Sequence, residues 1–208
     1  MHLLILGATG PTGRRLLDAA LECGDTITAL ARTPAALDDL ADRITVVAGD
    51  ATSRGDVSAA ARGQDAIISA LGTGRSLAPR ELFDRASAAV LDAAGEQGVS
   101  RLIWLSAFGV GATFASAGPA QKIVYRTLLR SVFADKKIAD DRIRSSGLDW
   151  TLVYPTVLTN GPAKGEYHVA DRLRMHGAPK ISRADVANFM HQAAHGGEWI
   201  RRDAVITD

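Results

Sequence analysis

Short runs of Ile, Val and Leu alternate with amphipathic stretches from the first residues onward. Residues 2–6, 26–30, 44–47, 66–70, 102–105 and 151–154 are apolar runs of strand length. Their near-continuous hydrophobicity suits strands covered on both faces by helices. Between them, residues 12–23 carry Leu16, Leu17, Ala20 and Leu21 at helical spacing, and residues 81–97 carry Leu82, Ala86, Ala89, Val90 and Ala93. Repeated β-α-β-α order predicts right-handed crossovers and an α/β, doubly wound parallel sheet.

The rhythm changes after Pro155. Residues 159–165 read as a loop, 166–170 as one added strand and 172–180 as irregular chain. Ser182 is an N-cap candidate with Asp185 three residues on, starting a helix that runs to about His195. A last strand is predicted over 204–207. The reading is thus one domain over 1–208: a cofactor-binding core over 1–155 and a small C-terminal, substrate-covering lobe over 156–208, which carries the last helix and strand.

Composition narrows the classes. The 208 residues are 47% hydrophobic and 23% charged, as in ordinary globular proteins. A formal net charge of +1 speaks against a dedicated nucleic-acid binder. The single cysteine, Cys23, allows neither an internal disulfide nor a cysteine-based zinc site, which fits a reducing cytoplasm. The apolar opening lacks a basic leader and is too short for a signal peptide, and no run reaches membrane-spanning length. A cytoplasmic protein with no membrane and no nucleic-acid partner is expected. The sequence is silent on oligomeric state, a monomer included among the options.

The 20 glycines are in excess, and their placement carries the chemistry. The first strand ends in Gly7-Ala8-Thr9-Gly10-Pro11-Thr12-Gly13 and then opens a helix. This is a variant of the dinucleotide fingerprint, pointing to a Rossmann-like fold. Gly7 permits the tight turn, Gly10 lets backbone approach a pyrophosphate, and Gly13 allows close helix–strand packing. At the end of the second strand, Arg32 lies 19 residues beyond Gly13, where an NAD site would hold Asp or Glu. A guanidinium cannot accept from a ribose hydroxyl but pairs well with a 2′-phosphate, so NADP(H) is the expected cofactor. Arg14 could join it; the alternative is that Arg32 is an exposed basic residue opening the second helix. Asp50, after the third strand, sits either at an adenine edge or as a cap or turn residue. Further strand ends carry Leu71-Gly72-Thr73 and Ser106-Ala107-Phe108-Gly109.

These motifs, together with Gly63-Gln64-Asp65-Ala66-Ile67-Ile68, Ser146-Gly147-Leu148-Asp149-Trp150-Thr151 and Ile181-Ser182-Arg183-Ala184-Asp185-Val186-Ala187, resemble the atypical short-chain dehydrogenase/reductases. Within them the chain is similar to the NAD(P)H-binding branch that includes biliverdin reductase B (flavin reductase) and the NmrA-like proteins. The resemblance covers nearly the whole chain. It implies that Thr9, Gly10, Pro11, Thr12 and Gly13 bind pyrophosphate, Arg32 and Thr33 the 2′-phosphate, and that Asp50 and Ala51 flank the adenine. It further implies that Leu71, Gly72 and Thr73 line the ribose path, Ser106 and Ala107 the reacting end, and Pro155, Thr156 and Val157 the nicotinamide.

One departure matters. Such dehydrogenases use a Tyr-x-x-x-Lys pair, but the lysine position is Lys136 and Val132 stands four before it. Lys136 therefore lacks the partner that would give it a catalytic role. Flavin and biliverdin reductases lack this tyrosine too, and transfer hydride to flat, conjugated acceptors, whose products solvent can protonate. The expected reaction is NADPH-dependent hydride transfer to a flavin, quinone or similar acceptor, with Ser106 and Phe108 at the reaction site. The alternative is an NmrA-like dinucleotide-binding sensor without turnover. His191 and His195 have the i, i+4 spacing of a zinc pair, but Gln192 replaces the glutamate of His-Glu-x-x-His and no third ligand is evident. Cations near a helix C-terminus are the simpler account, and no metal is expected. The basic excess over 122–144 reads as a solvated helix face or as an attractor for an anionic substrate. The acceptor pocket is assigned to 74–80, 109–121 and 159–180, whose sequence does not specify a substrate.

Overall fold

The structure, a computed structural model, describes residues 1–74, 81–173, 175 and 179–208; the pocket segments assigned to 75–80, 174 and 176–178 lie outside the described residues. The six expected strands are β1 (His2–Leu6), β2 (Thr26–Ala31), β3 (Thr45–Ala48), β4 (Ala66–Ser69), β5 (Arg101–Leu105) and β6 (Asp149–Pro155). Helices α1 (Pro11–Glu22), α2 (Arg54–Ala61) and α3 (Leu82–Gln97) follow β1, β3 and β4, and α4 (Pro119–Arg126) with α5 (Arg130–Arg144) joins β5 to β6. The chain continues through β7 (Val157–Thr159), β8 (His168–Ala170), β9 (Lys180–Ser182), α6 (Arg183–His195) and β10 (Arg202–Thr207).

The main sheet has the order β3-β2-β1-β4-β5-β6-β10-β8. Its pairs are parallel except β10 with β8. Strand order reverses between β1 and β4, the switch point where open α/β sheets bind ligands. Buried strands divide their side chains by period two. Leu3 and Ile5 join Leu16 and Leu17 of α1 and Phe189 and Met190 of α6 on one face. Leu4 and Leu6 meet Val57 of α2, Phe83 and Val90 of α3 and Ile143 of α5 on the other. Both halves of each strand are thus covered, which is why the strands read as continuous apolar runs.

Of residues 156–208, α6 and β10 build into this body, β10 pairing with β6 from Arg202 opposite Thr151 to Ile206 opposite Pro155. The separate β7–β9 ribbon begins directly after β6, at the carboxyl edge of the sheet. Helix α6 starts as its sequence predicts: Ser182 Oγ accepts from the Asp185 backbone N–H at 2.9 Å and donates to the Asp185 carboxylate at 2.7 Å. Asp185, fully buried, also accepts the Lys164 and Gly165 backbone N–H groups at about 3.0 Å, fastening the 160–165 loop to the helix. Burial would raise the Asp185 pKa, but these hydrogen bonds win and hold it below the ordinary carboxylate range. Helix α3 is capped from a distance instead, its Phe83 and Asp84 N–H groups donating to Asp135 of α5 at 2.9 and 3.1 Å. Among the described residues no helix is long and apolar enough to cross a membrane.

Removing only the cap, Ser182→Ala, is expected to cost about 1 kcal/mol and to lower the thermal midpoint by roughly 2–4 °C. Asp185→Ala also orphans two loop N–H groups and should cost about 1–3 kcal/mol more. Circular-dichroism melting checks both the size and the order of the two effects.

Candidate functional site

The glycine loop sits at the switch point with no spare room. Gly7 has φ +78° and a Cβ there would lie 2.7 Å from the Ala70 carbonyl oxygen at the end of β4. A Cβ on Gly13 would lie 2.1 Å from the Gly7 carbonyl oxygen. Only glycine lets α1 approach β1 this closely. The Gly10 N–H donates to the Gly7 carbonyl at 3.0 Å, closing the turn. Helix α1 then begins with Gly10 as N-cap and Pro11 at its start, without a side-chain cap or an acidic residue in its first turn. Its leading N–H groups and positive dipole end are left to an external anion. Thr9 is exposed and Thr12 buried on this loop. These features fit a dinucleotide pyrophosphate.

Arg32 and Thr33 are exposed at the end of β2, and Arg32 makes no salt bridge among the described residues. Arg14 is committed elsewhere, its guanidinium forked onto Asp39 at 2.8–2.9 Å and bonded to the Ala36 carbonyl. Asp50 is half-buried and caps its own turn, accepting from the Thr52 N–H at 2.8 Å and hydroxyl at 2.9 Å. The Thr52 backbone bond, against burial and with help from Arg32 and Arg85 nearby, holds its carboxyl below the usual range. Ala51 packs against the core, while Leu71, Gly72 and Thr73 leave β4 beside Gly7, with open space around Gly72.

Past the ends of β5 and β6 lies the candidate reacting end. Ser106 is 4% exposed and its Oγ donates to Asp140 Oδ2 at 2.7 Å. The Tyr154 hydroxyl donates to the same oxygen at 2.9 Å, and Arg144 donates to that hydroxyl and to Asp203. Burial pushes Asp140 up to about 6 despite these bonds, and pushes Tyr154 far above its ordinary value, so the phenol stays a donor. Asp140 Oδ1 is buried without a hydrogen-bond partner. Lys136 donates to the Leu105 carbonyl at 3.1 Å and stacks 3.9 Å over the Phe83 ring; burial brings it down to about 8. It faces the protein interior, and Val132 beside it is buried. Ala107 is half-buried, Pro155 and Thr156 are buried, and Val157 stands 60% exposed at the rim.

Phe108, expected against the acceptor, is placed otherwise. The Ser106 and Phe108 N–H groups continue the β5–β6 ladder to Val153 and Pro155, and Phe108 is 3% exposed, packed in the core. The aromatic surface comes instead from α4 and α5. A groove of about 520 Å³ beyond β5 is lined by Gly109, Phe114, Tyr125 and Phe133, with Arg126, Arg130 and Lys137 among its cations. Tyr125 and Phe133 stack with centroids 4.9 Å apart, over Gly109, where a Cβ would strike Tyr125 at 2.4 Å. Sequence reasoning missed this wall; the only signal was the basic, aromatic-bearing stretch of 122–144.

An uncapped helix at the switch point of a doubly wound sheet, with glycines where side chains cannot fit, defines a dinucleotide-binding protein of Rossmann type. Residues 7–196 match the model of the NAD(P)H-binding family, and the chain belongs to that family. A curated relative, the uncharacterised sugar epimerase YhfK of Bacillus subtilis, is 31% identical over 193 residues, 90% of this chain and 85% of the relative. The anaerobilin reductase ChuY of Escherichia coli superposes with a TM-score of 0.83 at 27% identity, covering 99% of this chain and 96% of that one. A short-chain dehydrogenase/reductase from Veillonella parvula, solved in complex with NADP, shares the fold at a TM-score of 0.80 and 21% identity, covering 100% and 94%. The chain is thus an NAD(P)H-binding protein of the Rossmann type.

Asp140 makes stability depend on pH. Its folded pKa, about 6, lies above the unfolded 3.8. The unfolded chain therefore loses its proton first as pH rises, and the cost is absent below about 4 and complete above about 6. The stability of wild type relative to Asp140→Asn should fall by a few kcal/mol across that window. Urea titrations of both proteins at several pH values measure it.

Proposed function

We propose that this protein is an NADPH-dependent reductase delivering hydride to a flat conjugated acceptor: a flavin, a quinone or a comparable ring system. The observation that carries the reading is Val132, a buried apolar residue where an alcohol or sugar dehydrogenase needs its tyrosine acid. Without that acid, acceptors that need a proton delivered with the hydride are disfavoured; conjugated acceptors take theirs from solvent. The relation to a named sugar epimerase does not supply the missing acid. The likeness to a reductase supports reduction as the direction.

Bound nicotinamide supplies the hydride; the chain binds, orients and excludes water. Gly7, Thr9, Gly10, Pro11, Thr12 and Gly13 take the pyrophosphate, with Arg32 and Thr33 on the 2′-phosphate. Ala51 and the Asp50 turn border the adenine, Leu71, Gly72 and Thr73 the ribose, and Ala107, Pro155, Thr156 and Val157 the nicotinamide. The Ser106 hydroxyl proton is committed to Asp140, which leaves its lone pairs as acceptors. Ser106 is therefore suited to accept from the N–H of a carboxamide and thereby fix the ring, a positioning task. The groove of Tyr125 and Phe133 offers a planar acceptor stacking surface, and its cations suit an acceptor bearing carboxylates or phosphate.

Arg32→Ser is expected to raise the NADPH dissociation constant about 10–100-fold, the size of a lost charge-assisted contact, while leaving NADH binding nearly unchanged. Steady-state NADPH oxidation with riboflavin, FMN and naphthoquinone as acceptors tests the reaction. Tight NADPH binding with no turnover across that panel would replace this reading with that of a dinucleotide sensor.

A further inference from the structure

At the opposite, amino edge of the sheet, three side chains converge that the dinucleotide site does not use. Asp25 closes the turn from α1 into β2, and His191 and His195 stand one turn apart on the last turns of α6. His191 Nε2 lies 2.6 Å and His195 Nε2 2.9 Å from the same oxygen, Asp25 Oδ2. The other oxygen, Oδ1, accepts from the Met1 amino group at 2.7 Å. Asp25 is the third group that the i, i+4 histidine pair lacked in sequence, 166 residues away from His191.

We propose that Asp25, His191 and His195 form a site for a divalent transition metal ion of the zinc class, clamping α6 to the α1–β2 turn. Candidate ligand atoms from the three side chains lie within 4.8 Å of one another. Zinc binds imidazole nitrogen and carboxylate oxygen at about 2.0–2.2 Å, which sets neighbouring ligands of a tetrahedron roughly 3.3–3.5 Å apart. The two imidazole–carboxylate approaches, 2.6 and 2.9 Å, are shorter than that spacing and lengthen as an ion takes the place between them. Two imidazoles and one carboxylate select zinc, nickel or copper over magnesium and calcium, which prefer all-oxygen shells. Burial suits a bound ion: the Asp25 and His191 side chains are 2% and 8% exposed, whereas His195 is 38% exposed and leaves a way in. Three protein ligands leave the remaining position to water.

The pair of imidazole hydrogen bonds alone would also hold α6 in place, and zinc binding separates the two accounts. Untagged, chelator-treated full-length protein is titrated with ZnCl2, with MgCl2 as control, by competition against a chromogenic chelator and by thermal melting. One zinc per chain is expected, with the melting midpoint rising by roughly 5–10 °C when free zinc is 100-fold above the dissociation constant. His195→Gln, at the half-open ligand, should fold normally and weaken zinc at least about 10-fold. Asp25→Asn should do the same, and Cys23→Ser should change nothing. NADPH affinity of the His195→Gln protein should match wild type, because the two sites lie at opposite sheet edges. No saturable zinc binding, or binding that survives both His195→Gln and Asp25→Asn, would overturn the proposal.

Discussion

A carbonyl oxygen with no space above it governs the rest of the molecule. Gly7 O lies so close to Gly13 that a β-carbon could not stand between them, and Gly7 itself abuts the end of β4. These two approaches fix the angle at which α1 leaves β1 and the width of the crevice between β1 and β4. Both follow from parallel strands that reverse their order here. The same geometry keeps Gly10 from being replaced by a capping side chain without filling the anion's place. The proposed pyrophosphate site is thus less a set of ligands than a gap that the backbone is obliged to leave.

The proposed reacting end obeys a different constraint, the burial of charge. Ser106, Asp140, Tyr154, Arg144 and Asp203 form one chain of donors and acceptors from the end of β5 to β10. Each link fixes the orientation of the next, and the serine proton is committed to Asp140. Lys136 is turned inward by the same packing, held between the Leu105 carbonyl and the Phe83 ring. A lysine so placed supports structure, and the proposed hydride transfer is left with positioning as its main aid.

The parallel core was legible because its physics is local. Strands covered on both faces must be apolar throughout, and each of the six runs read from the chain became a strand within a residue or two. Ser182 and Asp185 announced α6 for the same reason, since a cap is written within one turn. Arg32 could be placed by counting from Gly13 because the βαβ unit has a narrow range of lengths. What escaped notice depends on residues far apart. Asp135 caps α3 from another helix, 52 positions along the chain from Phe83. Asp25 meets two histidines across nearly the whole chain. Phe108 stands at a strand end, but its ring packs into the core beneath α5 rather than over the crevice. The aromatic groove needs the fold of α4 against α5, which no spacing rule encodes.

The far rim of the sheet has a consequence for assembly. An unpaired parallel edge would expose a row of N–H and C=O groups able to recruit another chain. Here the last strand, β8, runs antiparallel to β10 over three residues, and Asp171 just beyond it is forked by Arg202. At the other rim, β3 has four residues. Neither border is long enough to template a continuous intermolecular sheet. The apolar surface left open to solvent lies instead on a helix: α4 has no buried residue and exposes Ile123 and Val124, and Leu128 is exposed just after it.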